Sequence, residues 1–315
     1  MKSKIVWAFV GLVFACEVTR AQDVISDLVA KGPPDKIADD KMKVERKVCK
    51  GSKSYPVHLT FDDGPDLEHT PQILDVLKRN GIKATFFISA DKLVEGKPQE
   101  IAARKALIER ARNEGHTIGS HSFEHIEHAN AETTSRQKML GNLNKAFTEM
   151  DKLNLPKPMP FRFPYGSSWI FDSVKANQDL ANGAMVAIKR AGYYPLHWDV
   201  DTNDWSKIKR KALPVSALEQ ICERHGGVVL MHDVHQWTAD NLPALIESIH
   251  LSGHKLVSEA EIIKYSENDS TRPLASVAER LGGGQDCVYR GGHLDRAGTK
   301  CHTGSTDSRT KNGVQ

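Results

Sequence analysis

Two adjacent carboxylates, Asp62 and Asp63, follow the strand-like stretch at residues 57–61 and are followed at once by Gly64-Pro65. Like charges side by side repel, and neither is buried cheaply without a partner. Asp, Gly and Pro are turn formers, so this stretch taken alone also fits a solvated turn. The chemical alternative is that one carboxylate binds a metal ion and the other acts as a general base.

Two histidines four residues apart, His121 and His125, supply the second part of a candidate site. One helical turn would place both imidazoles on one side. Two imidazoles with either carboxylate of the double Asp form a familiar catalytic zinc set, which leaves one position open for water. The alternative is a pair of surface histidines. His116 and His128 are not expected to be ligands.

Five further residues have types suited to the same chemistry. His232 could be a general acid for a leaving group, although a core histidine at a strand end would look the same. Arg162 could hold the base carboxylate in a bidentate pair, which is compatible with a purely structural ion pair. The backbone N–H of Tyr165 could face a developing oxyanion. Trp205 and Leu230 could line a small apolar pocket or belong to the core.

The elements that would position these residues alternate along the chain. Seven strands are predicted, at residues 57–61, 84–88, 116–120, 161–163, 194–200, 228–231 and 255–257. Helices are predicted at residues 70–81, 98–113, 133–152, 172–191, 215–224, 239–251 and 259–265, with Thr70 as the first N-cap. Such alternation predicts a parallel α/β sheet, either a barrel or a doubly wound layer. The first strand lacks a following Gly-x-Gly-x-x-Gly, which disfavours a dinucleotide-binding fold.

Parallel α/β folds carry their chemistry at the carboxyl ends of the strands. Five predicted strands are followed by candidate residues, namely Asp62-Asp63, His121 to His125, Arg162 to Tyr165, Asp201 to Trp205, and His232-Asp233. Any one of these could arise by chance. Their concentration at one predicted edge favours a functional site over five unrelated structural explanations.

These residues resemble the polysaccharide deacetylase family, also called the NodB-homology domain or carbohydrate esterase family 4. All five of its motifs occur in order, as Thr60-Phe61-Asp62-Asp63-Gly64-Pro65, His121-Ser122-x-x-His125, Arg162-x-Pro164-Tyr165, Asp201-x-x-Asp204-Trp205 and Leu230-x-His232. Within the family, the resemblance is to bacterial peptidoglycan N-acetylglucosamine deacetylases. It implies a distorted (β/α) barrel of about seven parallel strands that removes acetyl groups from N-acetylated sugars.

The resemblance also separates the two Asp residues, which the residues alone do not. It implies that Asp62 is the base, and that Asp63, His121 and His125 bind Zn²⁺ or another divalent transition metal.

Further roles are implied for the remaining motifs. Arg162 would orient Asp62, and Asp201 would pair with Arg162 and help tune the acid His232. Tyr165 would supply the oxyanion N–H. Two residues would line the pocket for the acetyl methyl group, Leu230 and Trp205.

The chain has 315 residues, of which 39% are hydrophobic and 26% charged, with a formal charge of +3 and a pI near 8.5. This composition is that of a globular protein with room for one large domain or two small ones. It shows no concentrated basic patch, so no nucleic-acid partner is expected.

The N-terminus predicts export. Lys2 and Lys4 precede an apolar run at residues 5–16, and a cleavage site is expected after Ala21. These features are typical of a signal peptide at residues 1–21, too short for a comfortable membrane span. We therefore expect a periplasmic or secreted protein with no stable membrane insertion after cleavage. The alternatives are an uncleaved anchor and a lipoprotein processed at Cys16.

Four cysteines remain after the signal peptide, an even count that predicts two disulfides in an exported protein. Cys287 and Cys301 flank a Gly-rich loop and form the preferred pair, which leaves Cys49 with Cys222. Four free thiols are the alternative.

The predicted organisation is a signal peptide at 1–21, an arm or linker at 22–54, a deacetylase domain at 55–265 and a Gly-rich extension at 266–315. The predicted function is metal-dependent hydrolysis of the N-acetyl amide of N-acetylglucosamine units, with peptidoglycan as the expected glycan. Chitin oligomers, poly-N-acetylglucosamine and acetylxylan are alternatives. Two other classes are a non-catalytic glycan-binding module on this fold and a different metal hydrolase such as a cyclic amidase.

Overall fold

The computed structural model of the protein describes residues 53–167, 177–207 and 213–268. The predicted signal peptide, most of the predicted arm, the extension beyond residue 268 and both partners of the Cys287–Cys301 pair lie outside these ranges. Cys222 is described, but Cys49 is not, so both disulfide pairings stay predictions. None of the helices within the three ranges is both long and apolar enough to cross a membrane.

Eight strands form one sheet in which all the pairings are parallel. The strands are β1 Pro56–Asp62, β2 Thr85–Ile88, β3 Thr117–Ser120, β4 Met159–Phe161, β5 Tyr193–Pro195, β6 Val200–Asp201, β7 Gly227–His232 and β8 Lys255–Leu256. Seven follow the order β5-β4-β3-β2-β1-β7-β6, and β8 pairs with the start of β1. The predicted fold of about seven parallel strands in a distorted barrel is confirmed.

Within the described ranges, seven α-helices alternate with these strands, as predicted. They are α1 His69–Arg79, α2 Pro98–Asn113, α3 Arg136–Asp151, α4 Gln178–Arg190, α5 Leu213–Arg224, α6 Gln236–Leu251 and α7 Glu259–Asn268. Thr70 is not the N-cap of α1. That position belongs to Glu68, and the Thr70 hydroxyl instead donates to Asp233 Oδ2 at 2.5 Å.

The predicted strand at residues 194–200 is wrong as one element, because the chain there forms β5 and β6 at the two ends of the sheet. Leu196 N donates to Phe161 O of β4 at 3.0 Å, and Asp199 N donates to Val228 O of β7 at 2.8 Å. Three residue steps span at most about 11 Å of chain. The sheet must therefore curl until its ends approach each other, which produces the partly closed barrel.

The central strand β1 has two different buried faces. Val57, Leu59 and Phe61 belong to the main hydrophobic cluster. The alternate residues His58, Thr60 and Asp62 are polar and also buried, at no more than 2% exposure. Since alternate strand residues point to opposite faces, β1 packs one side in the core and presents a polar line that ends at Asp62.

The core contribution of β1 gives a stability prediction. Leu59→Ala removes a fully buried side chain and should lower the free energy of unfolding by about 2–5 kcal/mol, through lost burial and the cavity left behind. Urea unfolding of the wild-type protein and the variant, monitored by circular dichroism, measures this change. Leu67→Ala is the matched control, because Leu67 is 39% exposed and should change the free energy by only about 0.5 kcal/mol. Equal losses at both positions would contradict the assignment of Leu59 to the core.

Candidate active site

The strand ends converge as the sequence predicts. In the β1–β7 register Asp62 lies opposite His232, and in the β1–β2 register it lies opposite Phe87. His121 directly follows β3, and Arg162 directly follows β4. Adjacent strands of a parallel sheet lie about 4.8 Å apart, so these side chains start from backbones in immediate contact.

Asp62 is held by the fully buried side chain of Arg162. Asp62 is 2% exposed, and Arg162 Nη1 donates to its Oδ1 at 2.8 Å. The contact joins one nitrogen to one oxygen, rather than forming the bidentate pair that the sequence suggested. The same Nη1 donates to Thr60 Oγ1 at 2.7 Å, while Nη2 donates to His197 O at 2.6 Å and Nε to Leu196 O at 3.0 Å. These bonds fix the orientation of the guanidinium. The other carboxylate oxygen, Asp62 Oδ2, faces His121 at a distance of 3.9 Å from Nε2.

Asp63 and the two histidines converge on one point. Asp63 Oδ1 lies 3.4 Å from His121 Nε2 and 3.5 Å from His125 Nε2. Asp63 Oδ1 is buried and has no hydrogen-bond partner among the described residues. Tetrahedral ligands at ordinary zinc distances lie about 3.3 Å apart, so the spacing fits such an ion. This triad is the candidate metal site found in the described part of the chain.

The protonation states of the triad also suit a metal ion. His121 Nδ1 is 2.9 Å from Arg162 O, to which it donates, so the inferred tautomer leaves Nε2 unprotonated toward Asp63. Burial raises the pKa of the Asp63 carboxyl, but His121, His232 and His125 lower it by a larger amount. The pKa of Asp63 therefore lies below its usual value. Burial, and then the charge of His121, lowers the pKa of His125. Metal ligands must be deprotonated, and each shift favours that state.

His232 is held by Asp204, the second carboxylate of the Asp201-to-Trp205 motif. His232 Nδ1 donates to Asp204 Oδ1 at 2.7 Å, and its backbone N–H donates to Asp204 Oδ2 at 2.7 Å. Thr238 Oγ1 donates to the same Oδ2 at 2.6 Å. Burial lowers the pKa of His232, but the Asp204 bond and charge, with Asp62 and Asp63, raise it to about 9.

The expected pairing of Asp201 with Arg162 is not found within the described residues, where the guanidinium bonds go to the partners given above. Asp201 Oδ1 accepts from Asn203 N at 2.8 Å, which forms an Asx turn just after β6. Asn203 has a positive φ of 53° and reverses the chain, which brings Asp204 to His232. The signal that could have identified Asp204 was its place as the second carboxylate of the Asp201-to-Trp205 motif.

Of the three remaining predicted residues, Tyr165 and Trp205 are exposed at the rim of the site and Leu230 is buried. The Tyr165 ring meets the His125 ring edge-on with centroids 4.3 Å apart, and Tyr165 is 59% exposed. Trp205 is 54% exposed, whereas Leu230 is buried in β7.

Backbone strain also concentrates at the strand ends. Six non-glycine residues of the described ranges have a positive φ. Four of them lie in the loops of the site: Asp63, Ser122, Tyr165 and Asn203. Sparsely populated backbone conformations of this kind cluster at functional sites.

A candidate metal triad, a buried carboxylate and a carboxylate-held histidine are the groups that a metal-assisted hydrolase would need. The family model of polysaccharide deacetylases matches residues 50–183. A chitooligosaccharide deacetylase of Bradyrhizobium sp. (strain ANU 289) is 32% identical over 190 residues, or 60% of this chain and 76% of the relative. The chain therefore belongs to the polysaccharide deacetylase family.

Two further comparisons extend this result. Peptidoglycan-N-acetylglucosamine deacetylase PgdA of Listeria monocytogenes is 28% identical over 262 residues, or 78% of this chain. The match covers 50% of that relative, so the chain spans about half of its length. The catalytic domain of peptidoglycan N-acetylglucosamine deacetylase from Eubacterium rectale has a TM-score of 0.52 at 21% identity, over 66% of this chain and 92% of that domain. This last likeness shows the fold.

The two carboxylates of the fourth motif give a prediction. Asp204→Asn keeps the side-chain shape but removes the charge that raises the pKa of His232 from its usual value to about 9. In metal-free protein, NMR titration of the His232 imidazole should show a midpoint near pH 9 for the wild type. The variant should titrate lower by about one pH unit or more. Asp201→Asn is the matched control and should leave the midpoint unchanged. A shift in the control instead would restore the role first expected for Asp201.

Proposed function

We propose that this chain removes N-acetyl groups from N-acetylglucosamine units of a glycan, that it uses a divalent metal ion, and that it acts outside the cytoplasm on peptidoglycan. The observation that carries the proposal is the division of the double Asp. Asp62 Oδ1 is 2.8 Å from Arg162 Nη1, whereas Asp63 Oδ1 faces the Nε2 atoms of His121 and His125.

The metal ion would be held by Asp63, His121 and His125. Such an ion polarises a carbonyl and lowers the pKa of water toward about 7. Asp62 is the proposed base. Its Oδ1 is occupied by Arg162, and its Oδ2 lies 3.9 Å from His121 Nε2, on the side where water and the acetamide would meet. Asp62 Oδ2 would take the proton of the attacking water.

His232 is the proposed acid. With its pKa near 9 it is protonated at neutral pH, and its Nδ1–H is committed to Asp204. The proton on Nε2 is then the one available to the departing amine. Asp62 and His232 are paired in the register of β1 and β7. The proposed base and the proposed acid therefore lie on neighbouring strands at the same reaction centre.

The rim residues are proposed to receive the sugar. The exposed rings of Tyr165 and Trp205 offer apolar faces with polar edges, which suit a pyranose ring. We further propose that the Tyr165 N–H stabilises the developing oxyanion, that Leu230 and Trp205 line the acetyl-methyl pocket, and that Arg162 keeps Asp62 oriented.

Peptidoglycan is proposed over chitin oligomers because of the relatives and the N-terminus. The Listeria relative is named a peptidoglycan deacetylase, whereas the Bradyrhizobium relative is named for chitooligosaccharides. Export rests on the signal-like residues 1–21.

Acetate release tests the activity. Wild-type protein loaded with zinc should release acetate from N-acetylated glycan fragments. Asp62→Asn keeps the volume but removes the base, so release should fall by about 10²–10⁴-fold. Asp179→Asn, at an exposed position of α4, is the control and should match the wild type. Equal release by wild type and Asp62→Asn would rule out Asp62 as base.

Mass analysis of the products tests the substrate. Peptidoglycan fragments incubated with the protein should lose acetyl from their glucosamine units, and chitin fragments should lose it more slowly. Faster loss from chitin fragments would replace peptidoglycan as the proposed substrate while leaving the deacetylase chemistry in place.

A further inference from the structure

Asp233, the residue directly after His232, is fully buried and has no part in the chemistry described above. Its backbone N–H donates to Asp62 O at 3.3 Å, and its Oδ2 accepts from Thr70 Oγ1 at 2.5 Å. Asp233 thus connects the loop after β7 to the end of β1 through its backbone and to the first turn of α1 through its side chain.

The carboxyl of Asp233 also supports the turn that follows the double Asp. A Cβ placed on Gly64 would lie 2.1 Å from Asp233 Oδ2, 2.3 Å from Oδ1 and 2.5 Å from Cγ. The Gly64 backbone therefore rests directly on the carboxyl, which only a residue without a side chain permits. Gly64 immediately follows Asp63, so the contact between the Gly64 backbone and the Asp233 carboxyl also determines where the Asp63 backbone lies.

Thr70 orients the same carboxyl. Its hydroxyl accepts from Asp66 N at 2.8 Å and donates its proton to Asp233, so the two bonds run in one direction. Asp66 Oδ1 in turn accepts from the backbone N–H groups of Glu68 and His69 at 2.9 and 2.8 Å. This chain of bonds ties the loop at residues 64–70 to α1.

Burying Asp233 is costly. Its Oδ1 has no hydrogen-bond partner among the described residues, and burial raises the pKa of the carboxyl to about 7 although the Thr70 bond opposes this. A buried oxygen that lacks a hydrogen-bond donor destabilises the folded state. The Asp233 carboxyl is buried between the loops that follow β1 and β7 in spite of this destabilisation. Such a placement is consistent with a residue that positions the active site.

We propose that Asp233 is a positioning residue. Asp233 and Thr70 together fix the position of the Gly64 backbone. This position keeps the Asp63 carboxylate close to His121 and His125. The effect on turnover rests on the proposed deacetylase function, whereas the effect on zinc affinity rests only on metal binding by Asp63, His121 and His125.

Thr70→Val tests this role, because it removes the hydroxyl and keeps the shape. We expect the Kd for zinc, measured by competition with a chelating dye, to rise about 10–100-fold, as for other residues that orient ligands. In acetate release kcat should fall by a similar factor, with KM changed by less than about twofold because no sugar contact is lost. Thr70→Ser retains the hydroxyl and should restore both values.

Thr85→Val is the matched control. Thr85 is equally buried and bonds His58 Nε2 at 2.8 Å, but it stands at the amino end of β2. This variant should lose stability while its zinc affinity and kcat stay at wild-type values. Unchanged zinc affinity in Thr70→Val, or an equal loss in Thr85→Val, would overturn the positioning role.

A double-mutant cycle decides the matter if Thr70→Val fails to fold. Gly64→Ala should weaken zinc binding, because its methyl group meets the Asp233 carboxyl, and Asp233→Ala in the same chain should recover part of the loss. Strictly additive losses would contradict direct support of the turn by the carboxyl. Failure of the proposed function would look different, since wild-type protein would then bind zinc and release no acetate.

Discussion

The site depends on one buried cation. The guanidinium of Arg162 lies wholly inside the protein, where an unpaired charge would be prohibitively costly. Asp62 supplies the counter-charge, Thr60 and two backbone carbonyls accept the remaining bonds, and the Phe87 ring lies 4.1 Å from Cζ. The backbone carbonyl of Arg162 also accepts a hydrogen bond from His121 Nδ1. Arg162 therefore orients the candidate base with its side chain and a candidate metal ligand with its backbone.

The position of Arg162 also connects the site to the closure of the barrel. The two carbonyls that accept from it, those of Leu196 and His197, belong to the crossing between β5 and β6. That crossing joins the two ends of the strand order. A buried carbonyl needs a donor, and Arg162 provides one for each. The fold can curl here because the cation of the site satisfies its backbone.

The sequence was sufficient for the strand ends and for most of the site, and its errors have physical causes. The single strand predicted at residues 194–200 divides between Leu196, which still bonds β4, and Asp199, which bonds β7. An apolar pattern reports burial, and it does not report which neighbour a strand pairs with. The sequence predicts residues 57–61 only as a strand, and the structure shows that their buried polar residues, His58 and Thr60, lie on the face that ends at Asp62.

The sequence marks Asp204 as part of a motif, but it does not show which carboxylate of that motif contacts His232, and it does not show what Asp233 contacts. Two carboxylates three residues apart are equivalent in a sequence, and only the backbone reversal at Asn203 decides which one meets His232. Thr70 looked like a helix cap because threonine often is one, but its hydroxyl is drawn to a carboxyl 163 residues away in the chain. Long-range polar contacts of this kind carry no local signal.

The division of labour between the two adjacent carboxylates is the central claim, and diffraction from zinc-soaked crystals tests it most directly. Anomalous data collected at the zinc absorption edge locate the ion without reference to activity. We predict one peak bound by Asp63 Oδ1, His121 Nε2 and His125 Nε2, with Asp62 still bonded to Arg162 and outside the coordination sphere. A peak ligated by Asp62, with the Asp62–Arg162 bond broken, would contradict the account.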